Sequence, residues 1–243
     1  MSKYLKKISV SHFSVAILLK MVTLVSAALW GMERQRVAPS VITYNTMISA
    51  CEDFDQAVKF FLAMLRQGVV PNVITYNATI STCDNSWLAS QLLRAMRRQG
   101  LVPNIITYNA MIRVATLDGN EQWALELFEK MQLQGVEPTV ITYNALISAC
   151  GTGCLEMALE VFEAMAIIED VLPNVITYNT MFSLCAWYAE PDIAWELFEE
   201  MRLDGVVPDV ITYMTLVRAF EKGKQPERAK LCYILLSRAL SHA

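Results

Sequence analysis

Residues 41–51 read VITYNTMISAC, and near copies follow: NVITYNATISTC from 72, NIITYNAMIRVA from 104, TVITYNALISAC from 139, NVITYNTMFSLC from 174 and DVITYMTLVRAF from 209. A phrase repeated at near-fixed intervals signals stacked copies of one structural unit rather than a single irregular domain. The tyrosines of the phrase fall at 44, 76, 108, 143, 178 and 213, spaced by 32, 32, 35, 35 and 35 residues. The period is therefore 35, with two shortened copies.

Composition fits such an array. Of the 243 residues, 54% are apolar and 18% charged, a balance suited to units that bury faces against both neighbours. Twenty basic residues against 24 acidic ones give a formal charge of −4, which argues against nucleic acid held by bulk electrostatics. The six cysteines, without a secretory cleavage pattern, read as free thiols in a reducing compartment. Cys51, Cys150 and Cys185 each follow the phrase's Asn by six residues and read as small core residues. The Cys150 and Cys154 pair has no second pair and no nearby His to complete a metal site.

Residues 1–32 contain no acid, and an apolar run, FSVAILLKMVTLVSAALW, spans 13–30. Lys20 in its middle disfavours a membrane span. Two other readings stay open and can overlap. One is an organellar transit segment directing the chain to mitochondrion or chloroplast, without which the chain is cytoplasmic. The other, which the pattern favours, is a worn first repeat: Val25, Ala28, Leu29 and Met32 match the helix pattern below, and RVAPS at 36–40 matches the repeat ending. The expected organisation is a basic tail at 1–8, a degenerate repeat or targeting segment at 9–40, repeats at 41–72, 73–104, 105–139, 140–174 and 175–209, and a capping repeat at 210–243.

Each unit predicts two helices. The first begins at the repeated phrase, with Thr43 and its equivalents as N-caps, and runs about three turns. The second carries Ala124, Leu127, Phe128 and Met131 at i, i+3, i+4 and i+7, one face of a helix. The same spacing recurs as Ala57, Phe60, Phe61, Met64; as Ala89, Leu92, Leu93, Met96; as Ala158, Val161, Phe162, Met165; and as Ala194, Leu197, Phe198, Met201. Gly68, Gly100, Gly135 and Gly205 end the second helices, each followed three residues on by a proline. The short copies are expected to lose their missing residues from the loop between helices.

The 35-residue period, the VITYN start, the A-x-x-L-F-x-x-M helix and the G-x-x-P-[ND] close together resemble the pentatricopeptide repeat family over about residues 41–240, and weakly over 9–40. The resemblance implies an all-α solenoid, a right-handed superhelix of antiparallel helix pairs, that binds single-stranded RNA one nucleotide per repeat. It assigns base reading to the fifth residue of each unit, Asn45, Asn77, Asn109, Asn144 and Asn179, with the closing residues Asn72, Asn104, Thr139, Asn174 and Asp209. It also places Ile42, Ile74, Ile106, Ile141 and Ile176, with Ile211 in the sixth copy, against the bases. An Asn amide both donates and accepts and so suits either pyrimidine, while an acceptor-only Asp favours the N3–H of uracil. The implied target is 5′-C/U, C/U, pyrimidine, C/U, U-3′. Met214 has no amide, so the sixth unit either seals the stack or binds without reading.

Family members carry a Lys near the end of the first helix that approaches RNA phosphates. The corresponding places here hold Asp53, Asn85, Leu117, Thr152 and Trp187, with only Lys222 basic. A rival reading, a protein-binding helical scaffold, gains from that departure and from the acidic charge. The only histidines, His12 and His242, lie near opposite ends of the chain, and no catalytic constellation, cofactor site or small-molecule pocket is read from the residues. The expected partners are single-stranded, pyrimidine-rich RNA and recruited processing proteins, without a membrane.

Overall fold

The computed structural model describes residues 38–151, 153–167 and 171–241. The basic tail and almost all of the 9–40 segment, both histidines and Thr152 lie outside them. Among the described residues there are twelve helices and no strand: α1 (Val41–Ser49), α2 (Phe54–Arg66), α3 (Val73–Ser81), α4 (Ser86–Arg98), α5 (Ile105–Leu117), α6 (Glu121–Leu133), α7 (Val140–Cys150), α8 (Leu155–Ala166), α9 (Val175–Tyr188), α10 (Pro191–Leu203), α11 (Val210–Lys222) and α12 (Pro226–Ser241). The protein is all-α, built from solenoid-like helix-pair repeats. It divides into two compact units, Met1–Val114 and Ala115–Ala243, with the boundary inside α5.

In the first unit α1 packs on α2 and α3, and α3 packs on α2 and α4. In the second, α7 packs on α6, α8 and α9; α9 on α8, α10 and α11; and α11 on α10 and α12. Within each unit first helices thus pack on first helices, α1 on α3, α7 on α9 and α9 on α11. The predicted helical stripe is the core. Ala57, Ala89, Ala124, Ala158 and Ala194 and the methionines Met64, Met96, Met131, Met165 and Met201 are all fully buried. The small Ala lets backbones approach, and the flexible Met fills the remaining space.

The tyrosines of the repeated phrase supply a joint between successive repeats within each compact unit. Phe61 meets Tyr76 edge-on at 5.3 Å between centroids, Phe128 meets Tyr143 at 5.3 Å, Phe162 meets Tyr178 at 5.4 Å, and Phe198 meets Tyr213 at 6.2 Å. Four second helices, α2, α6, α8 and α10, are therefore clamped to the next first helix by a T-shaped aromatic pair, worth about 0.5–1.5 kcal/mol beyond the area it buries, while α4 has Leu93 in that place. The buried cysteines belong to the same interior. Burial pushes the thiols of Cys51 and Cys150 up to about 11 and those of Cys83 and Cys185 up to about 12, so all four are protonated at neutral pH. Among the described residues no group of three or more His, Cys, Asp or Glu is placed to hold a metal ion. No helix there is long and apolar enough to cross a membrane.

Two expectations are corrected. The short repeats do not lose their residues from the inter-helix loop: residues 50–53 and 82–85 are no shorter than 118–120. Instead α1 and α3 have 9 residues where α5 has 13, about one turn less at the C-terminal end. A cut close to one helical turn leaves the surviving face in register, so the packing stripe is kept. The second correction concerns where the first helix starts. It begins two residues before Thr43 and its equivalents, which occupy the third helical position and do not cap.

Replacing Phe162 with Ala removes both a buried ring and the clamp on Tyr178. The expected cost is about 3–5 kcal/mol, read as a lowered urea midpoint, and a variant as stable as the parent would contradict the clamp.

Candidate nucleic-acid interface

The residue that closes each repeat is the N-cap of the next first helix. Ser40, Asn72, Asn174 and Asp209 each accept the backbone N–H three residues on, and Asn104 does the same from Thr107 at 3.1 Å. In return the Thr hydroxyl accepts the backbone N–H of the capping residue. Those distances are 3.2 Å for Ser40 and 3.1 Å for Asn72, Asn104, Thr139, Asn174 and Asp209. This is a reciprocal capping box with Thr in the place more often filled by Glu or Gln. The expectation that the Thr is the N-cap is thereby overturned: the closing residue is the N-cap, and the Thr, at the third helical position, serves the same helix start.

The phrase's Asn joins that network from the preceding repeat. Asn45 donates from Nδ2 to Asn72 Oδ1 at 3.2 Å and accepts from Thr75 Oγ1 at 2.6 Å. Asn77 repeats this with Asn104 at 3.2 Å and Thr107 at 2.6 Å. Asn179 does so with Asp209 Oδ1 at 3.2 Å and Thr212 Oγ1 at 2.7 Å. A backbone N–H can only donate, so Thr75 N–H identifies the capping atom of Asn72 as its oxygen and settles the rest of the amide assignment.

The consequence is a division of labour within one side chain. Oδ1 of the closing residue serves the fold, and the other terminal atom is left over. For Asn72 and Asn104 that atom is Nδ2, a donor that makes no hydrogen bond among the described residues. For Asp209 it is Oδ2, an acceptor that neither Asn179 nor Thr212 uses. Burial alone would push the Asp209 carboxyl up. Hydrogen bonds from the Thr212 N–H and Oγ1, from Asn179 and from the Ile211 N–H outweigh that and hold it below the usual carboxylate range. Its contribution to stability is complete above the ordinary carboxylate pKa and is lost as pH falls through the lowered one.

The other predicted site residues are placed less uniformly. Asn45 and Asn77 are only 8% and 7% exposed, more enclosed than a reading side chain would be by itself. Asn144 Oδ1 is buried without a hydrogen-bond partner, and Asn174 Oδ1 takes the Ile176 N–H in addition to the Thr177 N–H and hydroxyl. Asn109 Oδ1 is likewise buried and unpartnered, and Thr139 lies in the other unit. The isoleucines behave alike in all six copies: Ile42, Ile74, Ile106, Ile141, Ile176 and Ile211 are 60% to 73% exposed. Ile42 and Ile74 flank an open cleft of about 550 Å³ with Asn45, Thr46 and Ser49 also in its lining. Met214 is 61% exposed, so it does not seal the array by packing.

The sequence reading made the Thr a cap and missed its bond to the preceding repeat's Asn. Thr75, Thr107, Thr142, Thr177 and Thr212 are fully buried polar side chains. The available signal was their fixed place three residues after an Asn, Asp, Ser or Thr, the spacing of a capping box. At the family's Lys position, Asp53 and Asn85 instead cap α2 and α4, a use that follows from the shortened first helices. Leu117 and Trp187 are exposed there.

Comparison with known proteins agrees with this architecture. A model of the pentatricopeptide repeat domain matches residues 15–54 and 91–153, one of the PPR repeat family matches 39–85 and 173–222, and one of the PPR repeat matches 141–166. The chain belongs to the pentatricopeptide repeat family. The crystal structure of PPR10 from maize is similar at 27% identity and a TM-score of 0.68, over 83% of this chain and 30% of PPR10. PPR10 in complex with an 18-nt psaJ RNA element is similar at 25% identity and a TM-score of 0.61, over 87% and 31%. The PPR domain of Arabidopsis thaliana protein-only RNase P 1 in complex with tRNA shares the fold at 19% identity and a TM-score of 0.57, over 73% and 90%. This chain therefore spans about 30% of PPR10's length. No curated protein matches the sequence.

Thr75→Val keeps volume but removes the hydroxyl, leaving Asn45 Oδ1 without its donor and the Asn72 N–H without its acceptor. The expected loss is about 1–3 kcal/mol in urea unfolding, and an unchanged midpoint would show that the network does not hold the joint.

Proposed function

We propose that this chain is a non-catalytic adaptor that binds single-stranded, pyrimidine-rich RNA, one nucleotide per repeat, in RNA processing or stabilisation. The observation that carries the reading is the recurrent pair of phrase Asn and closing residue, joined at 3.2 Å beside an exposed Ile in three repeats. The RNA-bound PPR10 structure, in which a relative of the same fold holds an RNA element, supports it further.

The leftover atom gives the reading its chemistry. An Nδ2 donor from Asn72 or Asn104 meets N3 of cytosine or a carbonyl oxygen of uracil, so these units take either pyrimidine. An Asp209 Oδ2 acceptor meets the N3–H of uracil and repels the lone pair on N3 of cytosine. The exposed isoleucines contribute contact without sequence information, each covering one base face. Discrimination is about 1–3 kcal/mol per base by analogy with other paired amide contacts. Affinity comes more from base contact than from phosphate contact, because the chain is acidic and Asp53, Asn85, Leu117 and Trp187 replace the basic column. The protein-scaffold reading draws on the same acidity and is separated from this one by the experiment below.

A pyrimidine pentanucleotide is expected to bind more tightly than a purine one at about 50 mM salt, measured by fluorescence anisotropy. Equal binding removes the base-reading assignment, and no binding of either favours the scaffold. Asp209→Asn, which exchanges the Oδ2 acceptor for a donor while keeping the cap, is expected to move the preference at the last read position from U towards C.

A further inference from the structure

The first helices of the fifth and sixth repeats together carry a feature that base reading leaves unused. On α9, Ile176, Thr180, Ser183 and Trp187 recur at i, i+4, i+7 and i+11 and share one face of the helix. On α11, which packs beside α9, Ile211, Met214, Arg218 and Lys222 recur at i, i+3, i+7 and i+11, and all four are exposed. The two stripes continue the side that bears the exposed isoleucines. At their far end Trp187 is 74% exposed, and the Lys222 ammonium lies 5.7 Å from the indole centroid.

Neither Arg218 nor Lys222 forms a salt bridge among the described residues. The contrast within the chain is informative. Arg113 occupies the Arg218 place on α5, seven residues after its Ile, but its guanidinium is tied to the Ser81 carbonyl. Arg218 has no such tether. An indole this exposed adds little to the core, whereas its π-face stacks on any base and adjacent cations neutralise phosphate without regard to sequence. Lys222 over the ring orients the indole through a cation–π contact and covers at most one face, leaving the other for a planar ligand.

We propose that Trp187, Arg218 and Lys222 form a sequence-independent docking point for the nucleotide that follows the read ones. The base stacks on Trp187 whatever its identity, and Lys222 and Arg218 hold the phosphate. Met214, with no amide to offer, suits a unit that anchors without reading. The inference rests on the RNA-binding reading above and adds to it a ligand class: one further nucleotide, chosen by its backbone and aromatic face.

The test compares a pyrimidine pentanucleotide with the four hexanucleotides that extend it at the 3′ end by A, C, G or U. All four extensions are expected to tighten binding by about 5-fold or more, because stacking on an aromatic side chain is worth about 1–3 kcal/mol. Trp187→Ala should abolish the gain and Trp187→Phe should keep most of it. Trp87→Ala, which removes an exposed indole on α4, should leave it intact. Replacing Arg218 and Lys222 together by Gln should flatten the salt dependence of hexanucleotide binding, by about one unit of log–log slope for each lost phosphate contact. If the pentanucleotide binds but the extensions add nothing, add according to base identity, or still add in Trp187→Ala, the docking point is wrong and the base-reading account stands. If the pentanucleotide does not bind, both fall.

Discussion

The structure depends on a polar side chain closing one repeat and opening the next. Ser40, Asn72, Asn104, Thr139, Asn174 and Asp209 each stand at a helix start that would otherwise present unpaired backbone N–H groups. The Thr three residues on completes the exchange, and in three repeats the preceding unit's Asn locks into the same oxygen. An N-cap is worth about 1 kcal/mol by itself. Coupled to a buried Thr and an amide from the neighbouring unit, it also fixes the register between units. The Phe–Tyr clamps then hold the outer helices to that register.

Under the proposed RNA-binding reading, this arrangement lets one residue serve fold and recognition together. A side chain with two terminal atoms can commit one to the backbone and present the other. Because the committed atom is an oxygen in both Asn and Asp, exchanging them leaves the cap intact and changes only the outward atom from donor to acceptor. Stability and specificity become separable at a single position. Asn144 marks the limit of the scheme: its oxygen is buried without the Thr hydroxyl donor that Asn45, Asn77 and Asn179 accept.

Much of this was legible in the sequence because periodicity carries it. The Ala and Met stripe, the glycine stops and the tyrosine period each report a backbone requirement that recurs unchanged, and the all-α repeat follows from them. The helix start was not legible in the same way, since Thr, Asn and Asp are all good capping residues and composition cannot say which stands first. Geometry decides it: with the closing residue outside the helix, the Thr falls at the third position, where its hydroxyl can reach back. The short repeats misled for a related reason. Three missing residues look alike in a loop or at a helix end, and only the packing of α1 and α3 locates the loss. The burial of Asn45 and Asn77 was also hidden, because their enclosure comes from residues about 30 positions away.

The most direct measurement of the central claim is side-chain amide NMR of the protein titrated with oligocytidine and, separately, with oligoadenosine. The account predicts that the Nδ2 resonances of Asn72 and Asn104 shift markedly with oligocytidine alone, while the Nδ2 protons of Asn45 and Asn77, donated to Asn72 and Asn104 Oδ1, stay protected from exchange throughout. Identical responses to the two oligomers, or loss of the Asn45 and Asn77 protection on binding, would contradict it.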